Sequence, residues 1–75
     1  MDKINEILAN NFKIPLDRTL ENASMDEIST WDSLTHMGLI VAIEDEFGFE
    51  LSGDDIADMI TFDSIRSTVK KYQNL

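Results

Sequence analysis

The run Thr30-Trp31-Asp32-Ser33-Leu34-Thr35-His36-Met37 holds the residues of this chain best suited to chemistry. Ser33 offers a hydroxyl, and His36 stands about one helical turn further on. A serine–histidine pair suggests hydrolysis, yet the sequence supplies no recognisable orienting acid, oxyanion hole or nucleophile elbow around Ser33. There is a single histidine, so no paired-histidine metal site, and no glycine-rich phosphate loop with its lysine. The acids from Asp45 to Asp55 do not follow calcium-loop spacing. No metal-ligand set and no catalytic residue are read here, and His36 is expected to be structural or solvated. What remains is a hydroxyl at a helix start. Asp or Ser before a periodic apolar segment lends side-chain oxygens to the first backbone N–H groups. Those groups and the helix dipole also favour an anion.

The helix that must carry Ser33 is predicted from Leu34 to about Phe49, with Gly48 as its breaker. At ~100° per residue, Leu39, Ile40, Ile43 and Phe47 cluster on one side. Leu34, Met37 and Val41 form a second stripe, which continues into Glu44 and Asp45. A helix in a small domain needs one buried face. The second stripe is therefore expected either to pack under the preceding loop or to meet a partner.

Around this helix the chain reads as all-α, one domain over residues 1–75. Asp2 can cap a first helix carrying Ile4, Ile7, Leu8 and Phe12, which Pro15 ends near Asn11 or Phe12. The long connection from Lys13 to Asp32 carries Ile14, Leu16, Leu20, Met25 and Ile28. It is expected to be an ordered loop pinned to the core with one short helical turn, and Asn22 and Ser24 suit turns. Ser52 with Asp55 starts a short helix bearing Ile56, Met59 and Ile60. Thr61 caps a last helix with Phe62, Ile65, Val69 and Tyr72 on one stripe and Arg66, Lys70 and Lys71 near its negative end. The sum is three main helices and a short one.

Composition narrows the function. Net charge is −9, and between residues 19 and 65 there are twelve acids and no Lys or Arg. Such a field repels nucleic acid and anionic lipid and steers association with basic protein surfaces. The longest apolar run, Met37 to Ile43, is far short of the ~20 residues a membrane span needs. No signal-peptide pattern opens the chain. A cytoplasmic monomer is expected. With no cysteine there is no disulfide, thiolate metal site or protein-borne thioester.

The length, acidic middle, long first loop and Asp32-Ser33-Leu34 opening the second helix resemble the acyl carrier proteins. The resemblance runs from Ile4 to Tyr72. It is strongest over Trp31 to Met37 and Ala42-Ile43-Glu44-Asp45-Glu46-Phe47-Gly48, and includes Ile60-Thr61-Phe62 with Ile65. It implies an acyl-carrier-like bundle and a carrier rather than an enzyme. The serine matching Ser33, flanked by Asp32 and Leu34, would receive 4′-phosphopantetheine from coenzyme A through a phosphopantetheinyl transferase. Acyl intermediates would ride on that arm as thioesters, which suits a chain without a thiol of its own. Leu34, Met37, Val41, Glu44 and Asp45 would meet acyl-loading and acyl-transfer enzymes with basic docking patches. Leu39, Ile43, Phe47, Ile60 and Ile65 would shelter the cargo. Trp31 stands where carriers of fatty-acid synthesis usually have a small residue, and Gly38 where they commonly present an acid. Both departures resemble stand-alone carriers of specialised pathways. The competing reading is an unmodified acidic helical adaptor for a basic protein, with Ser33 only a cap.

Overall fold

The computed structural model describes residues 3–74, so the expected cap at Asp2 lies outside the described residues. Helix α1 (Lys3–Phe12) buries Ile4, Ile7, Leu8 and Phe12, the four apolar positions that share one face. It ends before Pro15 because Lys13 turns into the left-handed region at φ 58°. The Ile14 N–H then reaches back to the Ala9 carbonyl at 3.1 Å, a Schellman-type closure.

The connection to the second helix is ordered, with two 3₁₀ turns, Leu16–Leu20 and Met25–Glu27, where one was expected. Its anchors also differ from expectation. Ile28, Ala23 and Thr19 are buried and Ile14 and Met25 lie against the core, but Leu20 is 60% exposed. Spacing along an irregular loop does not tell which apolar side chain turns inward, because there is no fixed period to carry the pattern. Small Ala23 is drawn in by backbone pairing. Met25 N–H donates to the Ile60 carbonyl and Phe62 N–H to the Ala23 carbonyl, each at 2.9 Å, as Ser24 bridges antiparallel to Thr61. Asn22 Oδ1 accepts the Asp63 N–H at 3.0 Å beside this ladder.

Helix α2 (Ser33–Phe47) stops where Gly48, at φ 76°, gives its N–H to the Glu44 carbonyl. Leu39, Ile40 and Ile43 face the core, as their wheel positions demand. Helix α3 (Gly53–Asp58) is capped by Ser52 Oγ, which accepts the Asp55 N–H at 3.2 Å. It ends earlier than its apolar spacing suggests: Met59 is fully buried just beyond it and Ile60 points outward. Helix α4 (Phe62–Gln73) starts on Thr61, whose hydroxyl accepts the Ser64 N–H, and buries Phe62, Ile65 and Val69. Among the described residues the architecture is all-α with no strand beyond the one bridge, and no helix is long and apolar enough to cross a membrane.

Arg66 joins three elements that the sequence does not link. Its guanidinium donates to Asn5 Oδ1 on α1 at 3.1 Å and to the Thr19 carbonyl in the first 3₁₀ turn, pairs with Asp63, and lies over the Phe62 ring. Asn5 and Thr19 are the two buried polar residues among those described, so this contact supplies hydrogen bonds where their loss would be costly.

Candidate functional site

At the start of α2 the capping work is done by Asp32 and Thr35. Asp32 Oδ1 accepts the Thr35 N–H at 2.9 Å, and Thr35 Oγ1 accepts the Asp32 N–H at 2.8 Å. Thr35 Oγ1 also lies 2.7 Å from the Thr30 carbonyl and donates to it, while Thr30 Oγ1 donates to the Phe12 carbonyl at 2.6 Å. The Thr35 backbone bond, followed by that of its hydroxyl, holds the Asp32 carboxyl below the ordinary aspartate range. Ser33 therefore has no capping duty. It is the first helical residue, its side chain is exposed, and its hydroxyl bonds to none of the described residues. Ser24, Ser52 and Ser64, by contrast, have hydroxyls engaged in capping bonds.

Below Ser33 the core is aromatic. Trp31 is buried, with its ring centroid 4.6 Å from Phe12 and 5.8 Å from Phe62. Its indole N–H donates to His36 Nδ1 at 3.1 Å, and His36 Nε2 lies 2.9 Å from the Ile56 carbonyl on α3. An indole nitrogen only donates, so Nδ1 is the acceptor and Nε2 carries the hydrogen given to Ile56. Both imidazole nitrogens are thus engaged away from Ser33, and the residues do not assemble as a nucleophile and its base.

The second stripe of α2 lies open. Leu34 is 81%, Met37 53% and Val41 61% exposed, so none is tucked under the first loop. Asp45 is exposed beside them, whereas Glu44 is half-buried and its Oε2 accepts the Leu51 N–H at 2.9 Å. Sequence spacing put both acids on this face without showing that one is held by the backbone beyond the helix.

Four of the five residues read as a cargo shelter belong to or pack against one apolar cluster, and Ile60 lies outside it. Leu39, Ile43 and Ile65 are fully buried core. Phe47 is half-buried, stacks 5.9 Å from Phe49, and lines a cleft of about 320 Å³ with Ile4, Arg66, Val69, Lys70 and Gln73. That cleft adjoins the opposite end of α2 from Ser33, ~20 Å away along the helix axis. Ile60 is 50% exposed, because it lies outside α3 with its carbonyl committed to Met25.

Gly38 has a local role that the sequence did not reveal. A Cβ there would lie 3.0 Å from Asn11 Oδ1, tight enough to displace that amide. Asn11 Nδ2 meanwhile donates to the Thr35 carbonyl at 2.8 Å. Asn11 and Arg66 were the residues missed, whereas His36 proved structural, one of the two roles expected of it. The bond between Trp31 and His36 was not foreseen, and its signal is an indole donor five residues before an imidazole acceptor.

Residues 2–70 of the chain match the family model described as a phosphopantetheine attachment site. Similar proteins include the acyl carrier protein of Lactobacillus acidophilus, 31% identical over 96% of this chain and 90% of that one. Another is the acyl carrier protein of Buchnera aphidicola, 40% identical over 79% of this chain and 75% of its own. That of Zymomonas mobilis is 29% identical over 96% of this chain and 92% of its own. No solved structure matches significantly. The chain belongs to the acyl carrier protein family, whose cofactor is covalently attached 4′-phosphopantetheine.

Proposed function

We propose that Ser33 is the attachment residue and that residues 1–75 act as one carrier domain, presenting acyl groups to partner enzymes. One observation carries the assignment: Asp32 and Thr35 cap α2 between them, leaving the Ser33 hydroxyl exposed at the first helical position. The reading of Ser33 as merely a cap thereby loses its basis. The dipole at this end of α2 suits a phosphodiester, with Asp32 and Leu34 flanking the serine. When bound, the group supplies a thiol on which acyl units are held as thioesters, the function that a chain without cysteine lacks.

A separate transferase would bring its own base and metal, so Ser33 needs no activating neighbour. Leu34, Met37 and Val41 beside it form the proposed contact with the transferase and with acyl-handling enzymes. Exposed Asp45 adds charge complementarity to basic docking patches, with half-buried Glu44 behind it. A cytoplasmic monomer in a specialised pathway is the accompanying proposal, supported by Trp31 and Gly38 at positions where fatty-acid carriers differ.

The test is the intact mass after incubation with coenzyme A and a broad-specificity phosphopantetheinyl transferase. A gain of one phosphopantetheine group is expected, which Ser33→Ala abolishes while circular dichroism stays helical. Modification of Ser24, Ser29 or Ser52 would overturn the site. No modification at all would favour the acidic adaptor.

A further inference from the structure

Two seams flank the start of α2 near Ser33, one against α1 and one against α3. Each is bridged beside the serine by a side chain bonded to the opposite backbone. Across the first, Asn11 Nδ2 donates to the Thr35 carbonyl at 2.8 Å, and Gly38 lets the helices approach so closely that a methyl group there would meet Asn11 at 3.0 Å. Across the second, His36 donates to the Ile56 carbonyl at 2.9 Å while accepting from Trp31 at 3.1 Å. Behind both seams the space is filled. Trp31 lies tilted against Phe12 and stacks on Phe62, and Leu39 and Met59 are fully buried.

From these contacts we infer that the bundle does not take up a long aliphatic chain, and that Trp31 and His36 are the specificity-determining residues. Resting on the reading of Ser33 as the attachment residue, this narrows the cargo to short or polar acyl units carried outside the fold. To admit an alkyl chain between α2 and α3, the His36–Ile56 and Trp31–His36 bonds would have to part. The indole N–H and a backbone carbonyl would then face hydrocarbon with nothing to bond. The chain would also have to displace close-packed aromatic rings, which cores accommodate poorly. A short or polar unit gains little from entry, so for it the closed seams cost nothing.

Trp31 is the single tryptophan, so its emission reports directly on the proposed barrier. Acetyl- and octanoyl-pantetheine forms of the full chain are prepared with a broad-specificity transferase and compared by tryptophan emission and thermal midpoint. The two forms are expected to share one emission maximum and one midpoint. In His36→Ala, which removes the latch but leaves the aromatic stack, the octanoyl form is expected to melt above the acetyl form and to shift the emission. Should His36→Ala fail to fold, Trp31→Phe serves. It keeps a ring but removes the indole donor, and amide exchange at Leu39 and Ile43 replaces emission as the readout. A wild-type octanoyl form that melts higher and shifts Trp31 emission would overturn the inference. So would insensitivity to octanoyl loading in both the wild type and a folded variant, because His36 and Trp31 would then not be the determinants. Failure of loading at Ser33 appears separately in the mass spectrum. It would remove the attachment reading, and this inference with it.

Discussion

The two ends of α2 are built differently. At the Ser33 end, three aromatic rings pack together in the core, and the polar side chains bonded beside them point in definite directions: Trp31 to His36, His36 to Ile56, Asn11 and Thr35 to backbone. At the Phe47 end, Phe47 and Phe49 are only half-buried, and a cleft of about 320 Å³ separates Phe47 from Lys70 and Gln73 on α4. Order near the second end comes from a polar cluster. Asp55 Oδ2 accepts from the Tyr72 hydroxyl at 2.5 Å and Asp55 Oδ1 from Lys71 Nζ at 2.9 Å, tying the start of α3 to the last turn of α4. The difference is one of packing: the core is closed and fully bonded beside Ser33 and more open beside Phe47, so a group attached at Ser33, as proposed, would leave from a well-defined geometry.

Truncation is the strongest way to break this contrast. Trp31→Ala removes a buried ring from the stack and the donor to His36, and is expected to cost ~3–5 kcal/mol in chemical denaturation. Phe47→Ala, at the half-buried end, should cost clearly less. Equal losses would mean that the two ends are equally packed.

The acids of α2 sharpen it next. Glu44→Ala leaves the Leu51 N–H without its acceptor and should lower stability by about 1 kcal/mol. Asp45→Ala, on an exposed side chain, should leave the melting temperature unchanged. Asp45→Lys should instead slow transferase modification severalfold at low salt, with the difference shrinking as salt rises. Identical specificity constants at every salt concentration would make Asp45 plain solvated surface.

A smaller, stabilising change tests the Ser33 end from α1. Lys13 occupies a left-handed backbone position with no glycine to ease it. Lys13→Gly is expected to raise stability by ~0.5–1 kcal/mol, the relief of that conformation less the added entropy of a glycine in the unfolded chain. A lower melting temperature would show that the Lys13 side chain contributes more than its backbone costs.

The gentlest probe is acid. Hydrogen bonds from Tyr72 and then Lys71 hold the Asp55 carboxyl at about 2. A depressed folded-state value stabilises the fold above the unfolded value of about 4. That contribution fades as pH falls from about 4 toward about 2. Asp32 and Glu27, also lowered, act in the same direction. Asp55→Asn should flatten part of this acid limb in melting curves taken across that range. An unchanged slope would separate Asp55 from acid stability.

The buried face of α2 was legible because Leu39, Ile40 and Ile43 obey one helical period, and the second stripe of Leu34, Met37 and Val41 was legible for the same reason, but its exposure was not. Caps at Asp32, Ser52 and Thr61 were readable from residue type, though Asp32 rather than Ser33 proved to be the cap at α2. Where periodicity stops, the reading weakened. Leu20 and Ile60 looked like core by hydrophobicity, but they sit in irregular backbone whose orientation is set by distant pairing. Arg66 acts across three elements, so no local pattern announces it.

The short ladder between Ala23–Met25 and Ile60–Phe62 has a consequence for how the chain reaches this structure. Helical bundles owe fast folding to contacts between near neighbours in sequence. Here the first loop is stitched to residues from the far side of the chain, and closing so large a ring carries an entropic cost before any bond rewards it. The loop is therefore expected to stay unsettled until α4 has docked. In pulse-labelled hydrogen exchange during refolding, the Met25 and Phe62 amides should gain protection after those inside α1 and α2. Early protection of Met25 would mean that the loop orders by itself.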